Sequence, residues 1–189
     1  GKDALISTMY SFKYRINSGN NQSLYSPGTN IFSSTVYNKG AWVLHMLRKE
    51  IGDSLFFSGL KKYYSKFQYG NSSTEELQKF FENIANRKLT KFFDQWVYTG
   101  KGYIELNVLT NEEKISKDSS NVNIRIEQIQ DGYEKYFFPL DIEIEDSTGK
   151  LHEYFFYVKN DTTISIKNNY MLKNILFDKN NWLLANINY

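Results

Sequence analysis

Cysteine is absent from this chain, so disulfides and thiolate-held metals are excluded, while the compartment stays undecided. Histidine occurs only at His45 and His152, 107 residues apart, so no local spacing of metal ligands exists. Proline is confined to Pro27 and Pro139. No apolar run reaches the ~18 residues that a membrane-spanning helix needs. Gly1-Lys2-Asp3 opens no apolar stretch of the signal-peptide kind. Net charge is only +2, which argues against nucleic acid as the main partner.

Aromatic residues, by contrast, are abundant. With 15 Tyr and 14 Phe, much of any core must be aromatic, and packing is the first role for nearly all of them. Charge is also unevenly spread. Residues 1–102 carry 14 Lys+Arg against 7 Asp+Glu, whereas residues 103–189 carry 9 against 14. The change of sign marks a boundary near residue 102.

The hydrophobic period changes at the same place. Leu5, Met9, Phe12 and Ile16 predict a first helix. Asn17 to Ser34, with Gly19, Pro27 and Gly28, reads as a loop long enough to border a binding cleft. Val36, Gly40, Val43, Leu44, Leu47 and Ile51 then share one helix face, with Ser33, Ser34 or Thr35 to cap its start and Gly52 its end. Gly40 inside that helix costs about 1 kcal/mol relative to Ala, which predicts close approach of another element there. Phe56, Leu60, Tyr63, Tyr64 and Phe67 predict the next helix, with Asp53 as its N-cap. Ser73 and Glu76 have capping-box spacing ahead of Leu77, Phe80, Phe81 and Ile84. A short helix follows, with Leu89, Phe92, Phe93 and Trp96 inward.

From Tyr103 the period is two. Ile104, Leu106 and Val108, then Val122, Ile124 and Ile126, then Leu140, Ile142 and Ile144 alternate with polar neighbours, and Phe155 and Tyr157 continue the alternation. Asp131-Gly132, Ser147-Thr148-Gly149, Asn168-Asn169 and Asn180-Asn181 supply turns. About seven short strands at this spacing predict a small antiparallel sandwich, with Pro139 at an edge or bulge. The expected fold is α+β in two segregated parts: an all-α bundle over 1–102 and a β-sandwich over 103–189.

Tyr37 stands near the start of the helix that contains Trp42, where a phenol can point away from the packed face. The segment Tyr37-x-Lys39-Gly40-Ala41 resembles the Tyr-x-Lys-Gly-Ala signature of the aminopeptidase N family of zinc metallopeptidases, the gluzincins. The resemblance extends through Leu44-His45-Met46-Leu47-Arg48, Gly52-Asp53, Tyr69-Gly70-Asn71-x-x-Thr74-x-x-x-Leu77-Gln78 and Phe92-Phe93-Asp94-Gln95-Trp96. It implies that residues 1–102 are the helical C-terminal part of a thermolysin-like catalytic domain, and that residues 103–189 are the sandwich that follows it. Asp178 and Trp182-Leu183-Leu184 resemble that sandwich's final strand.

In this family zinc is held by an H-E-x-x-H helix and a later glutamate, and a Gly-x-Met-Glu-Asn loop binds the substrate's amino group. None of these motifs occurs in the sequence. The resemblance therefore implies a piece of a longer zinc aminopeptidase. Zinc belongs to the full-length parent and none is expected in this piece, which is expected to be inactive alone. Peptide substrates would be met through the parent, whose missing N-terminal catalytic part would pack on the helical half. Tyr37 matches the family's catalytic tyrosine. The phenol of such a residue, with a reference pKa near 10, stays protonated at neutral pH and donates to the tetrahedral oxyanion of peptide hydrolysis. The position five residues earlier, where several relatives carry a second tyrosine, is Phe32.

Other residues have structural readings. Lys39 and Gly40 are structural rather than catalytic, Trp42 is a packing residue, His45 a hydrogen-bonded helix histidine, and His152 a surface strand residue. Glu75 and Glu76 suit a helix N-terminus, and Lys61-Lys62 a solvated helix face. The competing function is a non-catalytic module that binds protein or glycan, or a scaffold relative that lost catalysis. The sequence shows no aromatic platform separable from the core to support it.

Overall fold

A computed structural model describes residues 1–17, 22–29, 31–117 and 119–189, with the side chains of Lys2, Asp3 and Asn17 left aside. Gly19 of the expected loop lies outside the described residues. The chain divides into two compact units, Gly1–Gly102 and Tyr103–Tyr189.

The first unit is helical. Helix α1 (Lys2–Asn17) buries Met9 and Ile16. A π-helical turn, Thr35–Lys39, leads directly into α2 (Gly40–Ile51). α2 ends at Gly52, whose φ of 83° is open to glycine at little cost. α3 (Asp53–Phe67) starts at once. Asp53 is not its N-cap: Gly52 takes that position, and Asp53 accepts two hydrogen bonds from Arg48, at 2.7 Å each. The pairing ties the end of one helix to the start of the next.

α4 (Thr74–Ala85) has the expected capping box. Glu76 N donates to Ser73 Oγ at 3.2 Å, and Ser73 N donates to Glu76 Oε2 at 2.8 Å. The helix ends at Asn86, in the left-handed region. Glu82 is buried past its midpoint and accepts from Leu89 N at 2.9 Å and Gln78 Nε2 at 3.1 Å. Burial raises its pKa, but the bonds from Gln78 and Leu89 and the approach of Lys88 outweigh that and leave it below the ordinary carboxylate range. Glu82 thereby fixes the turn into α5 (Thr90–Phe93), which runs into a second π-helical turn, Asp94–Tyr98. Leu89, Phe93 and Trp96 are buried, as the apolar pattern requires.

α3 and α4 meet through aromatic rings. Phe81 is fully buried and stacks near Phe56, with centroids 6.1 Å apart, while Tyr63 meets Phe80 edge-on at 5.2 Å. Tyr64 is not in this stripe but exposed. The packing depends on Gly59, where a Cβ would lie 2.8 Å from Phe81 Cε1. Gly40, where close approach was expected, has nothing within 4 Å of such a Cβ.

The second unit contains seven described strands in two sheets. β1 (Ile104–Ser116), β2 (Ser119–Gln128), β5 (Thr162–Asn168) and β7 (Ala185–Asn188) form one sheet in the order β5-β2-β1-β7. β3 (Phe137–Asp146), β4 (Leu151–Lys159) and β6 (Leu172–Phe177) form the other, in the order β4-β3-β6. All pairings are antiparallel except β1 with β7, which is parallel. Leu106, Val108, Val122, Ile124, Ile126, Leu140, Ile142 and Ile144 are buried, giving the predicted alternation a core.

Three local expectations change. Phe155 and Tyr157 alternate out of phase with the core and are 50% and 51% exposed, while Val158 of the same strand is fully buried. Trp182-Leu183-Leu184 precede the last strand, in a turn where Trp182 N and Leu183 N donate to the Asp178 carboxylate at 2.8 and 2.9 Å. His152 is half-buried, its Nε2 2.7 Å from Oδ2 of the fully buried Asp146. Pro139 sits in the middle strand of its sheet, opposite Tyr157 of β4, but pairing with β6 begins only at Ile142. No ladder donor is needed there on the open side.

The two glycines yield opposite predictions. Gly59→Ala should lower stability by roughly 1–2 kcal/mol, because crowding of Phe81 outweighs the gain in helix propensity. Gly40→Ala should raise it by up to about 1 kcal/mol. Urea unfolding followed by the helical circular dichroism signal checks both, and shifts of the same sign would reject the packing account.

Candidate active site

The chain enters the first π-helical turn through Ser33. Of the three candidate caps, Ser33 is the one whose Oγ accepts from Val36 N, at 3.4 Å, and its carbonyl accepts from Tyr37 N at 3.2 Å. Such wide turns inside helices recur at functional sites because they re-aim the side chains they carry. Here Thr35, Asn38 and Lys39 are buried, and Tyr37 between them is 59% exposed. The phenol therefore leaves the packed face, as its position in the helix suggested.

Lys39 is what holds this turn in place. It is 1% exposed, and its Nζ donates to the carbonyl of Gly100 at 2.8 Å. Burial pushes the ammonium down to about 8 from its ordinary 10.5. The aliphatic stem is buried with it. Trp42, in the next turn, is fully buried and edge-on to the buried His45, with centroids 6.4 Å apart. The buried face of α2 thus runs through Trp42, Val43, Met46 and Leu47, and Leu44 turns outward at 36% exposure. Val43, Leu47 and Ile51 of the predicted face are buried; Leu44 alone turns outward, and the fully buried indole of Trp42 takes its share of the core.

The described part of the long loop is fastened rather than open. Tyr25 N donates to Val97 O at 3.0 Å, and its ring meets Tyr98 edge-on at 5.0 Å. A hydrogen bond with Glu75 raises the Tyr25 pKa, and Glu75 is held below the ordinary carboxylate range by backbone and Tyr25 hydrogen bonds. Tyr98 in turn donates to Gln78 at 3.0 Å. Sequence reading missed this cluster, since a lone tyrosine in a polar loop carries no periodic signal. Lys61 and Lys62 are exposed on α3, as a solvated face requires.

Residues 11–96 match the Peptidase family M1 domain. The match covers most of the helical unit, which is thus similar to peptidase family M1. Aminopeptidase N of Lactococcus lactis subsp. lactis is 37% identical over 65 residues, which cover 34% of this chain and 8% of that protein. Alanine/arginine aminopeptidase of Saccharomyces cerevisiae is 25% identical over 119 residues, 63% of this chain and 14% of that protein. Aminopeptidase A of Legionella pneumophila, solved with aspartic acid, aligns over 90% of this chain and 20% of its own with a TM-score of 0.68; at 15% identity this is a likeness of fold. The chain thus spans a small part of the M1 relatives it matches.

The match to family M1 raises the question of zinc. Among the described residues no group of three or more His, Cys, Asp or Glu side chains is arranged to hold a metal ion. His45 is packed against Trp42, and His152 is bound to Asp146. The residues described here do not form a zinc site. No described helix is long and apolar enough to cross a membrane.

The buried Lys39 makes a pH-dependent prediction. Its native pKa lies below its unfolded value, so the unfolded chain binds more protons between about pH 8 and 10.5. The penalty is complete below about pH 8 and is relieved as pH rises through that window. Relative to Lys39→Met, the wild-type chain should gain up to roughly 3 kcal/mol of stability across it. Denaturant titrations of both proteins at successive pH values test this, and parallel pH profiles would reject the buried-ammonium assignment.

Proposed function

We propose that this chain is the C-terminal portion of an M1 aminopeptidase, a hydrolase that removes N-terminal residues from peptides. In this reading the helical unit completes the catalytic domain and carries one group of its machinery, the Tyr37 phenol. The single observation that carries the reading is the exposed Tyr37 at the centre of a π-helical turn whose neighbours Asn38 and Lys39 are buried. A donor anchored in this way needs little reorganisation when charge develops on a substrate oxygen.

Peptide hydrolysis passes through a tetrahedral oxyanion. The phenolic O–H donates a hydrogen bond to that oxygen and keeps its proton, so the tyrosine stabilises the transition state without serving as acid or base. Delivery of the attacking water and the hold on the substrate's amino group are assigned to the remainder of the parent protein. That remainder would pack on the helical unit. Exposed Tyr10, Tyr14, Ile31 and Phe32 support this, since they leave apolar surface around the N-terminal part of the unit.

Tyr37→Phe in the complete parent enzyme should lower kcat by about 10²–10³-fold, the cost of one oxyanion donor, with KM little changed. Steady-state hydrolysis of an aminoacyl anilide measures both, and an unaltered kcat would remove Tyr37 from the mechanism. The present chain alone, supplied with zinc, should give no turnover in the same assay. Turnover that survives repurification would contradict the division of labour proposed here.

A further inference from the structure

Lys39 takes no part in the chemistry proposed for Tyr37, yet it occupies a place that an apolar side chain would fill at less cost. It is 1% exposed, and burial is the one cause that moves its pKa, with no carboxylate beside it among the described residues. A methionine would fit much of the same space with no charge to desolvate. Residues that break a local packing rule are expected where geometry matters more than stability.

Both partners of the Lys39 hydrogen bond are themselves held. On the donor side, Tyr37 N donates to Ser33 O at 3.2 Å, and Tyr37 O accepts from Gly40 N. The backbone is thus tied before and after the phenol, and Thr35 and Asn38 are buried on either side of it. On the acceptor side, Gly100 follows Thr99, whose N and Oγ1 both donate to Asp94 O, at 2.9 and 2.8 Å. Val97, in the same π-helical turn as Asp94, is buried and accepts from Tyr25 N at 3.0 Å. The Nζ of Lys39 joins these two fixed pieces at 2.8 Å. A π-helical turn is a wider ring set into the helix, so a small rotation of it re-aims each side chain it carries. A pin two residues beyond the phenol removes that rotation.

We propose that Lys39 is a positioning residue for the Tyr37 phenol: its bond to Gly100 O fixes the direction in which the phenol leaves the turn. The proposal rests on the catalytic reading of Tyr37 given above. An oxyanion donor acts only at hydrogen-bond distance, and a misplacement of about 1 Å removes much of its effect. Lys39 touches no reacting atom. Its contribution passes entirely through the phenol and falls on kcat rather than on KM.

A double-mutant cycle in the complete parent enzyme tests this, read by hydrolysis of an aminoacyl anilide near neutral pH. Lys39→Met keeps most of the stem and removes the ammonium, and should lower kcat about tenfold with KM little changed. On the Tyr37→Phe background the same substitution should change nothing further. Thr99→Val, at an exposed residue, loosens the acceptor side without touching the core. It should lower kcat about threefold, again only while the Tyr37 hydroxyl is present. In the present chain, fluorotyrosine in place of Tyr37 should give one fluorine resonance that shifts or broadens in both variants. Gly59→Ala, which destabilises the unit elsewhere, should leave that resonance where it is. If Lys39→Met lowers kcat equally with and without the Tyr37 hydroxyl, the catalytic reading of Tyr37 stands and the positioning role falls. Unchanged kcat or an unmoved fluorine resonance in both variants also overturns the positioning role, and unaltered kcat in Tyr37→Phe overturns both readings.

Discussion

One buried ammonium organises the helical unit. Lys39 reaches 61 residues along the chain to the carbonyl of Gly100, just past the second π-helical turn. A desolvated charge is costly, and this one remains only because its stem packs in the core and its nitrogen finds a carbonyl. The bond ties the start of the motif-bearing helix to the end of the unit. Tyr37 projects outward because its neighbours are held inward. The orientation of the candidate catalytic group is thus a consequence of packing two residues away.

Similar fastenings hold the sandwich, and they also use buried polar groups. The fully buried Asp146 accepts from Thr148 N and Oγ, at 2.8 and 2.6 Å, from Lys150 N at 3.1 Å, and from His152. Burial alone would raise its pKa, but Thr148, His152 and the backbone donors hold it well below the ordinary carboxylate range. This carboxylate closes the β3–β4 hairpin. Gln128 serves the chain's passage from one sheet to the other: its side chain both donates to Tyr136 O and accepts from Tyr136 N, each at 2.8 Å. Each bond satisfies a backbone group in a place where a loop would otherwise bury it unpaired.

Much of this architecture was legible as periodicity. The capping box at Ser73, the breaks at Gly52, and the alternation of β1, β2 and β3 follow from side-chain type and spacing, which are local quantities. Where reading failed, a non-local competitor decided. Leu44 lost the core of α2 to Trp42, and the glycine demanding close approach proved to be Gly59 rather than Gly40. Phe155 and Tyr157 look like core residues in sequence, yet His152, Tyr154, Phe156 and Val158 of the same strand turn inward. Neither phase is visible when both faces of a strand are aromatic. Neither π-helical turn was foreseen, since a single wider hydrogen-bonded turn leaves no period in the residues.

The sequence by itself determined two segregated parts, the change of period between them, and the motif on which the proposed role of Tyr37 rests. These rest on patterns that repeat within a few residues. Only the tertiary structure decided that Tyr37 is exposed, that Lys39 is clamped to Gly100, and that Phe155 and Tyr157 stand outside the sandwich core. Those outcomes depend on which of several apolar side chains buries the most surface against partners distant in the chain, a competition settled only when the elements pack.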